Sequence, residues 1–445
     1  MSAALPAHAN RAKPRFYGWP LLGVFWLIVL ANLGLPMYGG SVLYSAMAAE
    51  LGFSRQMLGL PFAVFLGTVG LSSPLVAWIL RRLGVRWTMA FGNTVLAIAA
   101  LIMSVRVNSA LGATLVFGLM AGFAVASGGN LAAQTAIPRW FVRRRALAFA
   151  VMLTASATGG FIAPPLLTLF VSRAHEGWRD GWLVICAAAV VAAILAALYV
   201  RDSPEEMGQF PDGVGEPSAL AVDVRGAEES WTLSRAVRTT SFWAMSLASA
   251  FATGAFGLVL AHGIASAKDA GYSPEQAAFS LSLVSVSGFA GKAIAGPGGD
   301  RFNPIVIWAG LMASMAAGLG IAAFTLTGPA GGTGLAGGTG PGLFVYAILL
   351  GAGFGGVVVC QPATIAKLFG TREFAQIASV IYFLQAIAGV SLPWAAGRVF
   401  DQTHTYRWSF AATAAGALLS GCLLLACRRS HRTSEGNPRE SIPRR

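Results

Sequence analysis

Residues 201 to 240 read RDSPEEMGQFPDGVGEPSALAVDVRGAEESWTLSRAVRTT, and this stretch decides how the rest of the chain is arranged. It mixes charges of both signs with Pro and Gly, the composition of a solvated linker. On either side the character changes at once. The 445 residues are 56% hydrophobic and 11% charged, with a mean hydropathy of +0.65, whereas a soluble domain carries about a quarter charged residues. Surface this poor in charge is solvated by a lipid bilayer. A spanning helix takes about 20 apolar residues. Six such runs precede the linker, at 19–43, 56–80, 87–107, 110–137, 145–171 and 181–200. Six follow it, at 241–264, 275–299, 303–326, 341–367, 374–397 and 407–427. The expected fold is an all-α membrane protein with 12 transmembrane helices in two six-helix bundles, residues 1–200 and 241–430. Residues 201–240 form a cytoplasmic linker and 431–445 a basic cytoplasmic tail.

Loop charge sets the orientation. Basic residues gather in cytoplasmic loops. With both termini and the even-numbered loops inside, 23 of the 31 Lys and Arg residues are cytoplasmic, seven are outside, and Lys292 alone falls within a span. The net charge of +13 therefore reports membrane topology, and no nucleic-acid partner is expected. Arg11, Lys13 and Arg15 precede an apolar stretch longer than the roughly 7–15 residues of a cleavable signal core, so this segment is expected to stay as the first helix. Cys186, Cys360, Cys422 and Cys427 all lie in apolar runs and read as small core residues. They imply neither a disulfide framework nor a metal site. No nucleophile with a base, phosphate loop or ATPase-sized insertion is present, so an enzyme is not expected, nor any cofactor or metal.

The halves echo each other. AWILRRLGVR (77–86) follows the second span and GPGGDRFNP (296–304) the eighth, each placing a basic residue and a turn residue behind the helix end: Arg82 with Gly84, Arg301 with Asn303. Paired halves of this kind mark transporters whose two bundles rock about a central site. These stretches resemble the major facilitator superfamily, whose loop pattern is G-x-L-x-D-R-x-G-x-R. Gly296, Asp300 and Arg301 fit it in the second half, and Arg82, Gly84 and Arg86 in the first. Arg81 stands where the family has Asp, a departure at the family's charge latch between the second and eleventh spans. The resemblance implies the major facilitator fold, with Arg82, Gly84, Asp300 and Arg301 serving conformational change. PRWFVRRRALAFAV (138–151), RDSPEEMGQFPDG (201–213) and HGIASAKDAGYSPEQAA (262–278) are similar to the bacterial monocarboxylate and oxalate–formate porters. Taken on their own chemistry, WFVRRR is a basic collar with Trp140 and Phe141 at the membrane interface, and SPEEMGQFPDG a capped turn.

Lys292 lies eight residues before Asp300, about 12 Å from the helix end. A lysine at that depth costs about 2.5–3.5 kcal/mol to insert. All 18 acids fall in loops or at span ends, so no carboxylate within a span can pair with it. Two readings are open: an anionic substrate completes the pair, or the ammonium snorkels onto backbone carbonyls. The resemblance bears on this, since the monocarboxylate porters carry a basic residue, usually Arg, four positions before the loop glycine, and Gly296 minus four is Lys292. Lys offers a point charge where Arg offers a two-pronged fork. The oxalate porters have a further Lys three residues after a Tyr in the eleventh span; here Gln385 follows Tyr382. One cation instead of two implies one carboxylate on the substrate. Other candidate cavity residues are Asn130 and Gln134, one turn apart on one helix face, Tyr38 near a Pro-Gly break, and Gln361 after a Gly-rich stretch. Each of these also reads as interhelical packing.

The expectation is a secondary transporter of the bacterial inner (plasma) membrane. It would be a monomer, would move a small organic monocarboxylate by alternating access, and would be coupled to protons. Related carriers hold a proton-binding Asp four residues before their cation, where this chain has Gly288. Lys292 or His262 are the remaining proton sites, and His262 also reads as an outer gate or a membrane-interface residue. Open alternatives are an anion exchanger, an exporter of hydrophobic solutes and a sensor that binds without transporting.

Overall fold

The computed structural model describes residues 16–52, 55–172, 177–213, 231–326 and 340–435. Within hydrocarbon a backbone satisfies its own polar groups most simply as helix, and every apolar run above folds so. The helices are α1 (Gly18–Met47), α2 (Arg55–Leu71), α3 (Ser73–Val105), α4 (Ala110–Trp140), α5 (Arg145–Val171) and α6 (Gly177–Tyr199) in the first half. The second half holds α7 (Thr240–Asp269), α8 (Pro274–Arg301), α9 (Pro304–Thr325), α10 (Gly342–Phe369), α11 (Phe374–Thr403) and α12 (Arg407–Glu435). Side chains cap the starts. Ser273 and Gln276 make a reciprocal capping box ahead of Pro274, Thr239 caps α7 and Asn303 caps α9.

One packing scheme is used twice, offset by six helices. In the first half α1 packs on α5, α2 on α4, and α3 on α4 and α6. In the second half α7 packs on α11, α8 on α10, and α9 on α10 and α12. Glycines set the closest approaches. A Cβ at Gly355 of α10 would stand 2.0 Å from the Gly288 carbonyl oxygen of α8. The Gly-rich stretch of the tenth span is therefore a packing surface. The bundles meet along two interfaces related by the same offset, α5 with α8 and α11 with α2 and the first limb of α3.

Three features differ from expectation. No loop separates the second and third spans: α3 turns back at the single residue Gly84, with φ 75° and ψ 176°. That conformation is open essentially to glycine alone. A Cβ there would also lie 2.1 Å from the Asp202 carboxylate, which accepts the amides of Val85 and Arg86 at 3.0 and 2.9 Å. Next, α1 winds as π-helix over Leu30–Gly39, around Pro36. Finally, the WFVRRR stretch is no interfacial collar at its aromatic end. Trp140 and Phe141 are buried, covered by Phe16, Tyr17 and Trp19. Arg145 folds back onto the carbonyls of Phe141 and Pro138 at the end of α4. SPEEMGQFPDG likewise does more than leave the membrane, since Asp212 accepts the Val142 and Arg143 amides. The linker segment 214–230 and residues 436–445 of the tail lie outside the described residues.

Gly84→Ala is expected to destabilise the protein by about 1–3 kcal/mol through backbone strain, with further loss from crowding Asp202. Thermal unfolding of the detergent-purified variant checks this; a wild-type melting temperature would show that the turn relaxes freely.

Candidate functional site

The contacts between bundles gather on the linker face. Asp300, at the end of α8, accepts hydrogen bonds from the backbone amides of Ala146 and Leu147 at 2.7 and 3.0 Å. These amides open α5 and have no carbonyl partner within their own helix. The carboxylate satisfies both and opposes the positive end of the helix dipole. Below it, Gly296 and Gly299 bring α8 so close to α5 that Cβ atoms there would meet Ala150 and Ala146 at 2.7 and 2.8 Å. At the related interface Gly70 faces Ala386 as closely, and Gln376 reaches the Ala77 carbonyl at 3.5 Å. Of the four residues proposed for conformational change, the described contacts carry only Asp300 across to the other bundle. Gly84 makes its turn within the first bundle, Arg82 stacks on Trp78 of its own helix at 5.6 Å, and Arg301 is exposed.

Deeper in, four of the predicted binding residues meet around α11. The Tyr382 hydroxyl donates to Gln134 Oε1 of α4, which ties the two bundles together. One turn on, Gln385 Nε2 donates to Gln361 Oε1 of α10 at 2.9 Å. Gln134 and Gln361 are buried. Gln361 Nε2 and, one turn from Gln134, Asn130 Oδ1 are buried with no hydrogen-bond partner among the described residues. Tyr38 stays apart, its ring 3.5 Å from a Cβ built on Gly160 of α5.

Lys292 is half-buried and points into a recess of about 490 Å³ between α5 and α8. Its Nζ sits 5.6 Å from the centre of the Phe289 ring, within cation–π range. Among the described residues it makes no hydrogen bond and no ion pair, so the carbonyl contacts of the snorkelling reading are not formed. None of the amide cluster lines the recess. His262 is held inside the second bundle. Its Nε2 is 3.0 Å from the Pro393 carbonyl oxygen, which only accepts, so this nitrogen carries a proton. Nδ1 lies 3.2 Å from the Tyr406 hydroxyl.

Asn32, which the sequence offers as a cavity residue beside Tyr38 and Tyr44, is instead buried in a polar knot whose other members, like the Thr154–Trp26 pair, the sequence does not announce. Asn32 of α1 donates to Asn93 Oδ1 of α3 at 3.0 Å, and Asn93 donates to the Gly128 carbonyl of α4. This knot ties three helices beside the break at Gly129. Thr154 accepts from Trp26 Nε1 at 3.0 Å. Both sets are ordinary polar residues within apolar runs, and nothing in their spacing announces a partner 61 or 128 positions away.

The repeated bundles find their counterpart in known proteins. Residues 24–393 match the model of the Major Facilitator Superfamily. The chain belongs to the major facilitator superfamily. It is accordingly a multi-pass membrane transporter of small solutes and not an enzyme. YcxA of Bacillus subtilis (strain 168), an uncharacterized MFS-type transporter, is 23% identical over 411 residues, which cover 89% of this chain and 91% of YcxA. Monocarboxylate transporter 4 of Rattus norvegicus is 24% identical over 416 residues, 92% of this chain and 82% of that one. The solved proton:xylose symporter XylE, bound to 6-bromo-6-deoxy-D-glucose, superposes with a TM-score of 0.71 at 14% identity. It covers 92% of this chain and 95% of its own, a likeness of fold alone.

Asp300→Ala is expected to loosen the linker face, since hydrogen bonds to a charged group are worth about 1.5–3 kcal/mol each. Spin labels at Arg143 and Phe302, both exposed, should show longer and broader distances than in the wild type. An unchanged distribution would show that the glycine contacts alone hold this face shut.

Proposed function

We propose that this transporter carries a small organic monocarboxylate anion across the bacterial inner membrane by alternating access, together with protons. The observation that carries the reading is Lys292, a cation within a span with no partner among the described residues. An arriving carboxylate supplies the missing charge. The resemblance to a monocarboxylate transporter over most of both chains supports the same substrate class. Gln385 in place of a second cation favours one carboxylate over two. Tyr382, Gln134, Gln361 and Asn130 form the polar partition between the bundles, and Tyr38 stands apart from it on the π-helical part of α1 that packs on α5.

Loop charge puts the linker and both termini in the cytoplasm. The contacts described between the bundles run from mid-membrane to that face, so the path opens to the opposite side. Rocking then requires Asp300 to leave α5 while Gly84 and its carboxylate keep the first bundle intact. Arg82 and Arg301 flank these turns in the cytoplasmic headgroup layer. For the proton, His262 is already engaged with Pro393 and Tyr406, and position 288 is glycine. Lys292 remains, a group that can both release a proton and be recharged as the anion arrives. Exchange of one anion for another is the second reading, favoured by the lack of any carboxylate within the spans. Nothing in the reading requires a second copy of the chain.

Lys292→Gln is expected to abolish uptake into proteoliposomes while the protein still inserts and melts normally. Lys292→Arg should keep measurable binding but lose the proton uptake that accompanies wild-type entry in lightly buffered vesicles. Wild-type transport by Lys292→Gln would end the substrate-site role, and equal proton coupling in Lys292→Arg would end the lysine's role as proton carrier.

Gln385→Lys keeps a donor towards Gln361 Oε1 and adds a cation. Its ratio of oxalate to monocarboxylate binding, read by competition, should rise about ten-fold, the equivalent of roughly 1.4 kcal/mol. An unchanged ratio in a folded variant would refute the argument from charge number.

A further inference from the structure

The recess around Lys292 says what kind of carboxylate fits. On the α5 side its wall is Leu147, Ala150, Val151 and Thr154; on the α8 side it is Phe289, Ala290, Ala293 and Pro297. Two polar groups reach this lining, the Thr154 hydroxyl and the Lys292 ammonium. The hydroxyl's hydrogen is already used, donating to the Val151 carbonyl at 2.7 Å, and its oxygen accepts from Trp26 at 3.0 Å. That leaves the ammonium as the side-chain group in the lining with open donors. Beyond Phe289, Phe161 of α5 stands against it with ring centres 5.9 Å apart, and beside Pro297 the helices close up at the approach of Gly296 to Ala150. Val151, Ala290, Ala293 and Pro297 are exposed, so the recess has an open mouth through which a ligand can enter. The volume of about 490 Å³ falls in the range of roughly 300–1,000 Å³ that holds whole organic ligands.

We infer that the substrate of Lys292 is a monocarboxylate with an apolar body, seated in the α5–α8 recess with its carboxylate on the ammonium. This rests on the carboxylate reading proposed above and narrows it. A two- or three-carbon hydrophilic acid would leave most of the recess empty, and a hydroxyl or keto group on the ligand body would lie mostly against carbon. An alkyl or aryl body removes the apolar wall from contact with water and shields the ion pair. Phe289 serves both parts, its face to the cation and its edge to the ligand body.

The test is a binding series on the full chain in nanodiscs, with straight-chain acids from acetate to octanoate and lactate beside propionate. Lys292→Gln nanodiscs give the background from partition into lipid. Above that background, affinity is expected to rise about four-fold per methylene to at least hexanoate, with lactate weaker than propionate. Ala293→Trp or Val151→Trp, each placing an indole in the recess from an exposed position, should flatten the series while the melting temperature is unchanged. A flat wild-type series that is lost in Lys292→Gln would overturn the apolar body and leave the anion site standing. A steep series surviving both Trp variants would place the body elsewhere and overturn the seat. Binding no stronger in the wild type than in Lys292→Gln would remove the carboxylate reading itself.

Discussion

Asp300 rests on two amides in the first turn of α5, those of Ala146 and Leu147, and much of the architecture turns on that contact. A helix start in a membrane protein exposes donors that lipid cannot satisfy. Here the donors belong to one bundle and the acceptor to the other. The contact therefore fixes where α8 crosses α5, and with it the height of every α8 side chain above the linker face. Lys292 stands eight residues further in along the same helix. The same device recurs within the halves. Asp202 holds the second limb of α3, Asp212 the approach to α5, and Glu373 the Leu233 amide at 2.7 Å. Four carboxylates on one face thus answer four sets of open amides.

The two halves share a packing scheme but not their latches. By the six-helix offset, the contact of α8 with α5 corresponds to that of α2 with α11, and Asp300 corresponds to Arg81. Arg81 is exposed, and a cation facing the start of α11 would oppose its dipole. That interface instead relies on the fit of Gly70 to Ala386, one long amide contact and the Tyr382–Gln134 bond. One seam is held by charge, the other by shape and neutral polar groups. They will respond differently to salt, which screens the former only where water reaches it.

The fold was legible because hydrophobic run length and loop charge are local properties. Twelve spans, the six-and-six division and the depth of Lys292 follow from counting. What remained hidden was pairing. Gln134, Gln361, Tyr382 and Gln385 can be picked out as polar residues in apolar runs, yet their mutual bonds depend on how α4, α10 and α11 cross. Trp140 and Phe141 look interfacial because aromatic residues beside arginines usually are. They are buried because Phe16, Tyr17 and Trp19 fold over them. Gly84 was expected in a loop; that it alone forms the turn follows from Asp202, 118 positions later in the chain. Lys292 was foreseen as an unpaired cation but not as the head of an apolar recess, since the wall on α5 is remote in sequence.

The Asp300 contact also bears on speed. Any movement that parts α8 from α5 must surrender two charge-assisted hydrogen bonds, about 3–6 kcal/mol if water does not replace them as they break. At roughly 1.4 kcal/mol per factor of ten, that holds the parted state to between about one molecule in a hundred and one in ten thousand. Water entering early would recover most of this, so hydration of the α5 start becomes the step that sets the pace. Turnover should then depend steeply on temperature, and on how readily solvent reaches a single carboxylate.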